Sequence, residues 1–120
     1  MPNKPWSREE LILAFNLYLK IPFGKYHRAN NDVIELAKLL NRTPSAVAMR
    51  LSNFASVDPS HQKRGIKGLT GGINQVKPIW DEFSENKEDL IFESEKILAE
   101  IQNSSIETKY KTVLDSIENL

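Results

Sequence analysis

Cysteine is absent from this 120-residue chain. Disulfides, thiolate metal sites and cysteine nucleophiles are excluded with it, and the composition fits the reducing cytoplasm, where the chain is expected to reside. Histidine is scarce: His27 and His61 are the only two, and neither has a partner at metal-ligand or triad spacing. Long apolar runs are missing as well. The longest, 11–19, is interrupted by Asn16 and is too short to cross a bilayer, and residues 1–10 are polar, so neither a membrane anchor nor a signal peptide is expected. Four of the five glycines fall within residues 61–72, but the order of Gly, Lys and Thr there does not match a phosphate-cradling Walker A loop. No catalytic residue, metal or cofactor is therefore expected.

Net charge is also lacking, since sixteen basic residues balance sixteen acidic ones. The balance hides a division. Residues 1–80 carry twelve basic and five acidic side chains, an excess of seven positive charges, whereas residues 81–120 carry four lysines and eleven acids. Such an asymmetry suggests a nucleic-acid-binding body followed by an acidic helical extension, with the boundary near residue 80. The length permits one domain of modest core plus that extension.

The apolar spacing is helical throughout, and an all-α fold follows. Ser7 and Glu10 stand at capping-box spacing with Trp6 and Leu11 placed as a hydrophobic staple, so a first helix should start at Arg8. Its apolar face is Leu11, Ala14, Phe15, Tyr18 and Leu19, and the Ile21-Pro22 step should stop it. Val33, Leu36, Ala37 and Leu40 line one side of a second helix, with Asn31 or Asp32 as its cap. Asn41 takes the place where a helix end wants a residue tolerant of positive φ. Thr43 then caps a third helix with Pro44 at its first position.

Two short helices joined by a polar turn form the arrangement that presents a helix to a DNA major groove. On the third helix Val47, Leu51 and Phe54 make the buried stripe. Ser45, Ala48, Met49, Ser52 and Asn53 should then face outward with Arg50 on the flank, and Ser45, Met49, Arg50, Ser52 and Asn53 become the candidate base contacts. Phosphate contacts are expected from Lys25, His27 and Arg28 in the first loop, from Arg42 in the turn, and from Lys63, Arg64 and Lys67 in a Gly-rich loop spanning 61–72.

Pro78 is expected to open a short helix carrying Ile79, Trp80 and Phe83. Leu90, Ile91, Ile97, Leu98 and Ile101 continue as a longer one. Asn103, Ser104 and Ser105 should interrupt it, giving a helical hairpin. Ile106, Tyr110, Val113, Ile117 and Leu120 alternate spacings of four and three, the seam of a short coiled coil that either folds inward or makes a homodimer. An acidic tail of this kind could also lie over the basic surface and regulate it.

Trp6-Ser7-Arg8-Glu9-Glu10-Leu11, Tyr18, Pro22-Phe23-Gly24-Lys25, Arg42-Thr43-Pro44-Ser45-Ala46-Val47-Ala48-Met49-Arg50-Leu51, Asn53-Phe54-Ala55-Ser56-Val57-Asp58-Pro59 and Gly65-Ile66-Lys67-Gly68-Leu69 together resemble the N-terminal module of bacterial HNH endonucleases of the putative restriction type. The resemblance covers about residues 6 to 100. It implies recognition of double-stranded DNA by this chain and cutting by a separate nuclease domain, whose His-Asn-His pattern is absent here. The expectation is thus a helix-turn-helix-like DNA-binding domain over 1–80 and an acidic helical extension over 81–120. The alternative is a helical protein-interaction module in which the helix-turn-helix is only scaffold.

Overall fold

Local capping chemistry sets the starts of the first three helices. The computed structural model describes residues 4–22, 24–63 and 72–119, and among them the structure is all α. Helix α1 (Arg8–Lys20) begins with a complete capping box: the Ser7 hydroxyl accepts from the Glu10 N–H, and the Glu10 carboxylate accepts from the Ser7 N–H. Helix α2 (Asn31–Leu40) is capped one residue earlier than expected, by Asn30, whose side-chain oxygen accepts from the N–H groups of Asp32 and Val33. Asn41 closes α2 in the left-handed conformation at φ 55°, the one non-glycine residue with positive φ among those described. Thr43 caps α3 (Pro44–Val57), with Pro44 in the first position where its missing N–H costs nothing. A short α4 (Pro59–Lys63) follows, its Ser60 N–H received by the Asp58 carboxylate.

The expected start at Pro78 is corrected. Helix α5 runs Ile73–Phe83 with Pro78 in its interior. An interior proline costs about 3 kcal/mol, but Pro78 sits on the exposed side while Val76, Ile79 and Phe83 are buried on the other. Three such burials, at roughly 1.5–3 kcal/mol each, outweigh the cost.

The expected hairpin is corrected too: α6 is one continuous helix, Lys87–Glu118. Asn and Ser cost a helix only a few tenths of a kcal/mol each, and the backbone carbonyl of Ser104 stays in use, accepting from the Thr108 hydroxyl at 2.9 Å.

Helix α1 lies at the centre, packed by α2, α3, α5 and α6. This explains why Leu11, Ile12, Leu13, Ala14, Phe15 and Asn16 are all buried where a single stripe was expected, while Leu19 at the far end is exposed. Phe15 stacks on Phe54 of α3 at 4.8 Å and on Trp80 of α5 at 5.1 Å between ring centroids. Such aromatic pairs add about 0.5–1.5 kcal/mol each beyond their area.

Phe83, Leu90 and Ile97 belong to the same core, so the change of charge at residue 80 falls inside it. The packing changes instead near Ile101, after which α6 runs on alone. Helix α6 lies beside α1 and α5 and makes no packing contact with α3. It neither folds back nor covers the surface that the sequence marks for DNA.

Candidate nucleic-acid interface

Helix α3 is gripped from behind. Val47, Leu51 and Phe54 are fully buried, and α1, α2 and α5 all pack on it. Its other side is open: Ser45 and Met49 are exposed and Ala48 and Ser52 half-buried. Asn53 is the exception and a correction. It is completely buried, because at 3.6 residues per turn it falls on the side of α3 that meets the start of α5.

There Asn53 accepts a hydrogen bond from Arg50 Nη1 at 3.0 Å. The pair sits so close to Gly72 that a Cβ on that residue would come within 2.6 Å of Arg50 Nη1 and 2.8 Å of Asn53 Oδ1. Gly72, at φ 93°, is thus required both by its backbone and by its neighbours. Arg50 is half-buried, and its Nε is fully enclosed without a hydrogen-bond partner. Burial first, and the nearby Arg42 charge second, bring its pKa below the ordinary arginine value.

A depression of about 280 Å³ runs along one flank of α3, lined by Lys4, Trp6, Arg42, Thr43, Met49 and Arg50 among others. Both guanidinium groups lie against the Trp6 indole, Arg42 at 4.6 Å and Arg50 at 5.5 Å from its centroid. Arg42 is not available as a free phosphate contact, and this corrects the expectation. Its Nε donates to Glu10 at 2.7 Å and its Nη2 to the other Glu10 oxygen at 3.0 Å, while Nη1 and Nη2 also reach the carbonyls of Lys4 and Pro5. The pair is well shielded, at 11 and 18% side-chain exposure. Although burial opposes ionisation of Glu10, the Arg42 and Ser7 hydrogen bonds prevail and hold its carboxyl below the usual range.

The opposite flank holds a depression of about 270 Å³ lined by Tyr26, Arg28, Ser45, Ala48, Met49 and Ser52. Arg28 is exposed, as are Lys25 and His27 in the same loop. Among the described residues, Lys25, Arg28 and Lys4 make no ion pair, whereas Arg8 is bound to Glu82, Lys38 to Glu35 and Lys77 to Asp81. Arg64 and Lys67 lie outside the described residues; the backbone of Lys63 ends α4.

The loop carrying Arg28 is anchored by a polar cluster that sequence reasoning missed. Tyr18 donates to Asp58 Oδ2 at 2.7 Å, His61 Nε2 is 3.9 Å from the same oxygen, and Tyr26 Oη is 3.4 Å from His61 Nε2. Burial and the Asp58 hydrogen bond push the Tyr18 pKa well up. At Asp58 burial is outweighed by the bonds from Tyr18 and Ser60 and by His61, which leave the carboxylate below its ordinary value. The available signal was Asp58-Pro59, which repeats the cap-then-proline pattern of Thr43-Pro44 and marks a fourth helix start.

Among the described residues no group of three or more His, Asp or Glu side chains could hold a metal ion, and no helix is long and apolar enough to cross a membrane. Comparison with family models, with curated proteins and with solved structures gives no match.

Proposed function

We propose that this chain is a DNA-binding module in which α3 enters the major groove of a duplex, the target-recognition part of an HNH-type restriction endonuclease or a free-standing relative of one. The observation that carries the proposal is the open face of α3. Ser45, Ala48, Met49 and Ser52 form a surface of small, hydrogen-bonding and apolar groups, on a helix held rigidly from behind by three others. Cations that make no ion pair among the described residues stand on both flanks, Lys4 on one and Arg28 on the other.

Groove recognition needs an open helix face that can approach base edges, with cations placed to meet phosphates on either side. Ser45, Met49 and Ser52 take the first role here. Lys4, Lys25 and Arg28 take the second, joined by Lys63, Arg64 and Lys67. Arg50 supports the base-facing surface from the side, and Arg42 and Asn53 hold the scaffold.

Fluorescence anisotropy with labelled duplex DNA tests the proposal. With about six cations releasing counterions, the slope of log affinity against log salt should lie near −5. Absence of binding to any duplex pool at low salt rejects it. Selection from a randomised duplex pool, compared between the native chain and Met49→Ala, then asks whether α3 reads bases, because a changed consensus requires contact with base edges.

A further inference from the structure

Helix α6 has two opposite seams. Leu90, Ser94, Ile97 and Ile101 face the core at spacings of four, three and four. Residues two apart on a helix diverge by about 200°, so Phe92 begins a second series on the far side. That series continues through Lys96, Ala99, Asn103, Ile106, Tyr110, Val113 and Ile117, again alternating four and three, and every member is exposed. Past Ile101 the core-facing side becomes polar. Thr108, Thr112 and Ser116 bond back to the carbonyls of Ser104, Thr108 and Thr112 at 2.9, 3.0 and 3.1 Å, which satisfies their hydroxyls within the helix. The overhang therefore presents apolar surface only on the side turned away from its own domain.

From Asn103 to Ile117, we infer that this outer seam is the interface for a second copy of the same chain, paired as a parallel, in-register coiled coil. Strict alternation of four and three is the spacing that keeps one stripe against a partner helix. Ile106, Tyr110, Val113 and Ile117 are 63, 65, 56 and 57% exposed, and covering them in two copies removes on the order of 1,000 Å² from water, the lower edge of a specific interface. Charge permits it. Residues 102–118 hold three acids and two lysines, whereas residues 81–101 hold eight acids and two lysines, so self-repulsion is concentrated away from the seam.

Asn103 chooses the direction. In register it meets its own copy, amide to amide, with donor and acceptor matched. In an antiparallel pair centred on Tyr110 it would face Ile117 and be buried without a partner. The parallel arrangement places both domains at one end of the coil, where two copies of α3 can address one duplex.

Sedimentation equilibrium on the full chain should show the average mass climbing from 13.7 kDa toward twice that value across the micromolar range. Ile106→Glu should abolish the climb and leave the melting of the domain unchanged, because Ile106 is exposed and lies beyond Ile101, the last residue of α6 packed on the core. Direction is read by disulfide trapping in a chain that has no cysteine of its own. Asn103→Cys should cross-link to a dimer under mild oxidation, and Thr108→Cys on the opposite face should not. Monomer at every concentration, or a climb that survives Ile106→Glu, overturns the interface. Equal cross-linking of the two cysteine variants, or none at position 103, overturns the parallel register. Neither result bears on whether the monomer binds DNA.

Discussion

The depressions on the two sides of α3 are nearly equal, at about 280 and 270 Å³, and arginine lines both. Their arginines nevertheless do opposite things. On the Trp6 side Arg42 is spent on Glu10 and on two backbone carbonyls of the N-terminal segment, and Arg50 on Asn53. On the Tyr26 side Arg28 reaches into solvent, carried by a loop that Tyr26 fastens to His61. What separates a scaffold arginine from an exposed one is therefore the acceptor within reach, since the guanidinium itself is the same. Glu10 is that acceptor, and α1 delivers it because its capping box turns the same carboxylate toward the start of the helix.

The comparison breaks most visibly through stability. Arg42→Ala should lower the unfolding free energy by about 2–4 kcal/mol in urea titrations, because it strands a shielded Glu10 and frees the N-terminal carbonyls. Arg28→Ala should change it by less than about 0.5 kcal/mol, as expected for an exposed side chain. Equal losses from the two would erase the distinction.

Gly72→Ala comes next, with an expected cost of about 1–3 kcal/mol from positive φ and from the displaced Arg50–Asn53 pair. Arg50→Ala in the same background should recover part of that cost by removing the nearer of the two groups that a Cβ at residue 72 would meet.

Acid sensitivity sharpens the comparison further, with one shielded carboxylate on each side. Glu10 and Asp58 are both held below their ordinary values of 4.5 and 3.8. The stability they supply is complete above those values and is lost as pH falls through the lower native ones. Replacing Glu10 with Gln should flatten the acid limb of the stability curve relative to the native chain. A limb that stays equally steep would assign the acid loss elsewhere.

The smallest expected effect is on DNA. Arg28→Ala should weaken duplex binding about three- to tenfold at low salt for all sequences alike, and should reduce the salt slope by about one. Retention of the native slope would remove Arg28 from the contact surface.

Several helix ends were legible where a side chain talks to its own backbone, but the Asn30 cap of α2 and the Asp58 contact that opens α4 were not. Ser7 with Glu10, Asn41, and Thr43 with Pro44 are local devices, and each was read correctly from spacing alone. Pro78 and the run 103–105 misled for the converse reason. Their local preference is real, but the burial of Val76, Ile79 and Phe83 overrides the first, and the second costs a helix only a few tenths of a kcal/mol per residue, too little to break α6. On α3, the pattern exposed Ser45 and Met49 and buried Val47, Leu51 and Phe54, as found. It misplaced Asn53 because a polar residue read by type belongs outside, and only the approach of Gly72 and Arg50 supplies the reason to bury it.

Helix class, caps and the uneven placement of charge follow from the order of residues, since they depend on neighbours within a turn or two along the chain. Which faces are covered, which arginines are consumed and where α6 parts from the core depend on partners up to 74 positions distant, as Arg8 and Glu82 are. Such partners meet only when the helices have packed, and a cation's freedom to bind anything else is what that packing leaves over.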